Sequence, residues 1–288
     1  MKRAIVIVFA LSVWGMATPE ATSQRLSKEK EGYPAYKLRV EVVDRVTAAI
    51  NYRNRSGSTM IGFRGTPLQP GARGEAKVES KRGYTEVRAA FDNMIPANRY
   101  GRQYLTYVLW SVTPEGRSTN LGELVLKGTK SKADVTTGFQ AFGLVVTAEP
   151  YFAVTQPRDR VVLENYVRPE TLGKIEEIRT EYQLVEKNTL ALEKMPKQLL
   201  PPVLDVALPL DLQEAENAVR IAKWAGAEDA AWNIMAQAED LLEQAEGYYV
   251  RRAGDKAIST AAREAVQTAE DARLIAMRST TAPSARRR

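Results

Sequence analysis

The chain contains no histidine and no cysteine. Without imidazole, neither a Ser-His-Asp nor a Cys-His nucleophilic site can be built. Histidine-ligated and thiolate-ligated zinc are excluded on the same grounds. Without cysteine there is no disulfide and no lipid-modified N-terminal cysteine. Carboxylate chemistry and oxygen-ligated calcium or magnesium stay open. Long hydrophobic runs are absent after the first residues, so no transmembrane span is expected in the rest of the chain.

Lys2 and Arg3 precede an almost wholly apolar stretch from Ala4 to Ala17. It is too short for a bilayer-spanning helix and has the flanks of a secretory signal. The expectation is a signal peptide over 1–23, cleaved after Ala21-Thr22-Ser23, with an uncleaved anchor as the alternative. Residues 24–35 read as a flexible leader. Export to the periplasm or outer envelope follows from that reading.

Charge is uneven. Tyr36 to Asn165 holds 19 Lys or Arg against 12 Asp or Glu, whereas Leu210 to Arg288 holds 11 against 13. A basic exported domain could meet an anionic wall polymer, lipid headgroups or an acidic protein. A solvated basic surface is the alternative.

From Tyr36 to Asn165 the texture is that of strands. Tyr36 to Val42 alternates, and Val46 to Tyr52 looks like its hairpin partner. Gly62 to Gly74 reads as a loop with one edge strand at most. Ala76–Ser80 and Tyr84–Phe91 flank Arg82-Gly83, a hairpin signal. Tyr104 to Val112 is apolar on both faces and should be central. Leu121–Lys127, Asp134–Thr137, Leu144–Ala148 and Val161–Glu164 complete seven to nine short strands. Together they predict an Ig-like antiparallel β-sandwich over 36–165.

Residues 166–209 read as a connecting segment with a Pro-rich linker: four prolines fall between Pro196 and Pro209. Leu172 to Leu192 reads as a helix or a strand-helix mix. Residues 210–278 then predict an Ala-rich domain of three helices, packed as an antiparallel bundle or hairpin array. Asp211 can start its first helix and Gly226 can end it. The second carries Ala231, Ile234/Met235, Ala238, Leu241/Leu242, Ala245 and Tyr248. The third carries Ile258, Ala262, Ala265, Ala269, Ala272 and Ala276 at coiled-coil spacing. Residues 279–288 form a basic tail expected to be disordered. The fold class is α+β with segregated domains.

Several segments resemble one group of bacterial envelope proteins. They are Phe91-Asp92-Asn93, Tyr104 through Arg117, Asn120-Leu121-Gly122-Glu123, Asp134–Thr137, Phe142 and Val146–Val154. Glu214–Ala218 and Ala265–Arg273 resemble an Ala-rich envelope domain of unknown function. The group is described as outer-membrane-protein-A-like. The resemblance implies a β region and a helical region ahead of a C-terminal peptidoglycan-binding domain. No counterpart of that last domain occurs in this sequence, so no wall-binding residue is carried over.

The functional expectation is a non-catalytic exported envelope protein, structural or adaptor in role, contacting another envelope protein or a second copy of itself. Trp224, Trp232, Tyr248 and Tyr249 are its candidate helical docking residues, with bundle core as the alternative. A second reading is a module for a glycan or anionic envelope polymer. There Trp110, Tyr151 and Phe152 would stack on sugar rings, while Lys81, Arg82, Arg99 and Arg102 would form a basic patch. Trp110 with Tyr104 and Tyr107 also fits a packed core. A remote third reading is a carboxylate-dependent hydrolase using two of Asp134, Glu149, Asp159 and Glu164. Nucleic-acid binding is not expected. No catalytic, cofactor-binding or metal-binding set is assigned, and no cofactor is expected.

Overall fold

The computed structural model describes residues 46–52, 57–169, 171, 178–181 and 195–281. The expected signal peptide and leader, the Tyr36–Val42 strand and residues 282–288 of the expected basic tail lie outside the described residues; residues 279–281 of that tail are not disordered but belong to the last helix.

Among the described residues ten strands form one sheet: β1 (Val46–Asn51), β2 (Ser58–Gly65), β3 (Arg73–Ser80), β4 (Thr85–Asp92), β5 (Thr106–Val112), β6 (Ser118–Glu123), β7 (Ser131–Thr137), β8 (Ala141–Glu149), β9 (Val161–Tyr166) and β10 (Ile178–Glu181). Every pairing is antiparallel. The ladder runs β6-β5-β8-β9-β2-β3-β4-β7, and β6 returns to lie beside β7. The architecture is therefore a nearly closed β-barrel with helices, not the β-sandwich that the strand pattern predicts. A sandwich needs two separate sheets. Here β8 prevents the separation: it pairs with β5 from Glu149 to Gly143 and with β9 from Val145 to Thr147. At its start it also pairs with β1, which carries β10.

The segment from Gly62 to Gly74 corrects a second expectation. Ser58–Gly65 is no edge strand; it is paired on both sides, by β3 and β9. Its glycines mark close approach rather than turns. In register, Phe63 of β2, Gly74 of β3 and Phe91 of β4 form one row. The two rings meet edge to face across Gly74, with centroids 5.0 Å apart. A methyl group at Gly74 would collide with the Phe91 ring. Likewise a side chain at Gly62 would strike the Tyr166 ring on β9. The true turn is the short stretch after Gly65, with Pro67 and Pro70.

β5 is buried along its whole length, as its two apolar faces require. Trp110, Tyr52, Tyr104, Tyr107, Tyr151, Phe63, Phe91 and Phe142 are the largest fully buried side chains among the described residues. Ile178–Glu181 is strand β10, which places a strand inside the segment read as helix or mixed; the rest of that segment lies outside the described residues.

Four helices follow: α1 (Leu210–Trp224), the single turn α2 (Ala227–Ala230), α3 (Trp232–Val250) and α4 (Asp255–Thr281). The sequence predicts three. The extra turn arises at Gly226, whose φ of 85° ends α1 and starts α2. α4 packs on both α1 and α3. Its seam of Ile258, Ala262, Ala265, Ala269, Ala272 and Ala276 is buried throughout. Alanine there brings the axes close. We expect Ala269→Leu to overpack the seam and cost about 1–3 kcal/mol, read as a lowered urea midpoint at unchanged slope. Barrel and helices belong to one compact unit with one contiguous apolar core.

Candidate functional site

The junction between barrel and helices begins with an anomaly in α1. Ala218, Ile221 and Ala222 form its buried stripe, and one turn earlier the stripe passes through Glu214. Glu214 is fully buried, and neither of its oxygens has a hydrogen-bond partner. It faces Asp211, one turn back on α1, and Glu123 at the end of β6. One oxygen from each of the three carboxylates lies within 4.8 Å of the others.

Arg263 of α4 ties the junction together. Its Nη1 donates to Glu123 Oε2 and to Asp211 Oδ1, each at 2.8 Å. Its guanidinium also stacks over the Phe152 ring, 3.6 Å from the centroid. The second oxygens are held by hydroxyls. Thr106 of β5 donates to Glu123 Oε1 at 2.7 Å, and Ser259 of α4 donates to Asp211 Oδ2 at 2.5 Å. Burial, with the Glu123 and Asp211 charges beside it, pushes the Glu214 carboxyl well above the ordinary carboxylate range. A groove of about 400 Å³ opens alongside, with Thr106, Leu124, Leu210 and Gln213 among its lining.

Two further clamps fix the helices. Glu270 of α4 accepts a bidentate pair from Arg273, at 2.6 and 2.7 Å. Tyr151 and Thr155, from the segment after β8, donate to the same carboxylate at 2.7 and 3.0 Å. Burial opposes ionisation of Glu270, but Arg273 and these hydroxyls outweigh it and hold the carboxyl below its usual range. Asn217 of α1 donates to the backbone oxygens of Gln103 and Pro150, at 3.0 and 3.1 Å.

No protein-family model, no curated protein and no solved structure matches this chain.

The residues singled out for a glycan are placed otherwise. Trp110 is core, its indole donating to Thr147 at 2.8 Å. Tyr151 and Phe152 are buried against α4 rather than offered to a sugar. The basic residues do not form one patch. Lys81 and Arg82 sit at the β3–β4 turn, where Lys81 pairs with Glu79; Arg99 and Arg102 lie beyond the far end of β4. Eight residues of strand, about 25 Å, separate the two pairs.

The four carboxylates named for hydrolysis lie on different elements, and of them Asp159 comes near enough to Glu149 for its charge to act there. Asp134 is exposed on β7, 3.5 Å from Arg88; Asp159 precedes β9 and Glu164 lies on it. Glu149 ends β8 in a buried network. It accepts from Thr147 Oγ1 at 2.5 Å and from the Arg158 backbone at 2.9 Å. Burial dominates its surroundings and raises its pKa to about 7, against the opposing Arg158 charge.

Of the helical candidates, Trp224 and Tyr248 are half-buried and pack on the core. Trp232 is 71% exposed, and Tyr249 is also exposed. Sequence reading missed the Glu123, Asp211, Glu214 and Arg263 set. The available signal was Glu214 itself, a carboxylate on the helix face that also carries Ala218, Ile221 and Ala222.

Proposed function

We propose that this chain is a non-catalytic, exported cell-envelope protein that works as an adaptor through protein contacts on α3. The observation that carries this reading is the outer face of α3. Trp232 is 71% and Val250 78% exposed. They stand about five turns apart on the same side of the helix. Glu243 and Glu246 lie between them on that side, and Asp240 borders it; all three are exposed. Large apolar groups left in water at both ends of an acidic stripe fit a partner of complementary chemistry. That partner is a protein surface with apolar pockets rimmed by Lys or Arg. The resemblance of the β and helical segments to outer-membrane-protein-A-like proteins supports the envelope setting.

The test is a photo-crosslinking amino acid at position 232, with the same group at Tyr84 on the barrel as control. A discrete adduct from position 232 alone is expected. Reversing Glu243 and Glu246 to Lys should reduce it roughly ten-fold or more. An adduct at twice the chain mass would identify a second copy as the partner. Equal labelling at both positions, or labelling that ignores the reversal, would sink the reading.

A further inference from the structure

We propose that Glu123, Asp211 and Glu214 form a calcium-binding site that staples the barrel to the helices. Three observations bear on it together. First, charge: three carboxylates against the one guanidinium of Arg263 leave two negative charges in a largely buried place, the balance a divalent cation restores. A single proton on Glu214 would leave one uncompensated. Second, Glu214 is wholly buried and aimed at the other two carboxylates, with both oxygens unpartnered. An ionised carboxylate there would face only the Arg263 charge, which Glu123 and Asp211 already share.

Third, the donor set and its spacing select the ion. Every available ligand is a hard oxygen, because the chain has no imidazole or thiol. Three oxygens within 4.8 Å of one another lie no more than about 2.8 Å from a common centre, near the roughly 2.3–2.6 Å of calcium–oxygen bonds. Magnesium, at roughly 2.1 Å, also keeps several waters, for which a site closed by the buried Glu214 has little room. The Thr106 and Ser259 hydroxyls, which now donate to Glu123 and Asp211, stand ready to offer further oxygens. The adjoining groove is lined by Thr106, which holds Glu123, and by Leu210 and Gln213, the chain neighbours of Asp211 and Glu214. The ligands come from β6 and α1, so the bound ion would join the two layers directly. Arg263 keeps its stacking on Phe152.

The experiment strips the full chain with chelator, dialyses it against calcium and counts bound metal by mass spectrometry. One calcium per chain is expected. At about a hundred times the dissociation constant, calcium should raise the melting midpoint by roughly 5–10 °C. A ten-fold excess of magnesium should not displace it. In Glu214→Gln, which keeps the shape without the charge, binding and the calcium response should both disappear. If that variant does not fold, Asp211→Asn should weaken binding roughly ten-fold or more. The proposal falls if the wild type retains no calcium or if Glu214→Gln responds as the wild type does. It falls equally if the midpoint follows pH alone, which would assign Glu214 a proton shared with Glu123.

Discussion

Arg273→Met is expected to destabilise the protein by about 3–5 kcal/mol, because it leaves the Glu270 carboxylate buried without its guanidinium. The loss should appear as a lower urea midpoint. Arg273 also reaches Met277 Sδ at 2.7 Å, so its stem is packed and methionine fills the same space. The double variant Glu270→Leu with Arg273→Met should recover most of the loss, since an apolar pair carries no desolvation penalty. A double variant as unstable as the single one would mean that Tyr151 and Thr155, rather than the charge pair, dominate the clamp.

The second large effect is on pH. The Glu149 pKa is raised from 4.5 to about 7 in the folded chain. The native state therefore binds this proton more tightly than the unfolded state does. Its contribution is complete below pH 4.5 and is lost as pH rises towards 7. The span corresponds to roughly 3 kcal/mol. Glu149→Gln should flatten the stability profile in that window, as followed by denaturation in chelator at successive pH values. Glu214 adds a slope of the same sign, so part of the dependence should survive in that variant. Glu270 acts oppositely: its stabilisation is present above pH 4.5 and is lost on acidification. A profile unchanged by Glu149→Gln would mean that Arg158 keeps the carboxylate ionised.

What could be read from the sequence was local. The α4 seam follows from residues three and four apart, and the burial of β5 follows from apolar residues on both its faces. The β3–β4 hairpin follows from Arg82-Gly83. Closure of the sheet was not legible, because short strands with frequent turns serve a sandwich and a barrel equally. The distinction rests on the pairing of β8 with β5 and β9 and on the return of β6 to β7. Gly62 and Gly74 misled because a glycine written for a turn and one written for an approaching ring are the same letter. Tyr151 and Phe152 looked like a presented loop because what covers them, Glu270 and Arg263, lies more than a hundred positions further along. Glu214 was hidden among helix-forming neighbours in a segment where glutamate is common.

The chain has no clean cut between its halves. Severing it before α1 would strip Glu123 of Arg263, bare the Tyr151 and Phe152 rings, and leave the Gln103 and Pro150 carbonyls without the Asn217 amide. The freed helices would keep the Glu270–Arg273 pair but lose the Tyr151 and Thr155 hydroxyls that complete it. Barrel and helices should accordingly melt in a single transition. A change at the tip of one can be tolerated only when the distant counterpart changes with it.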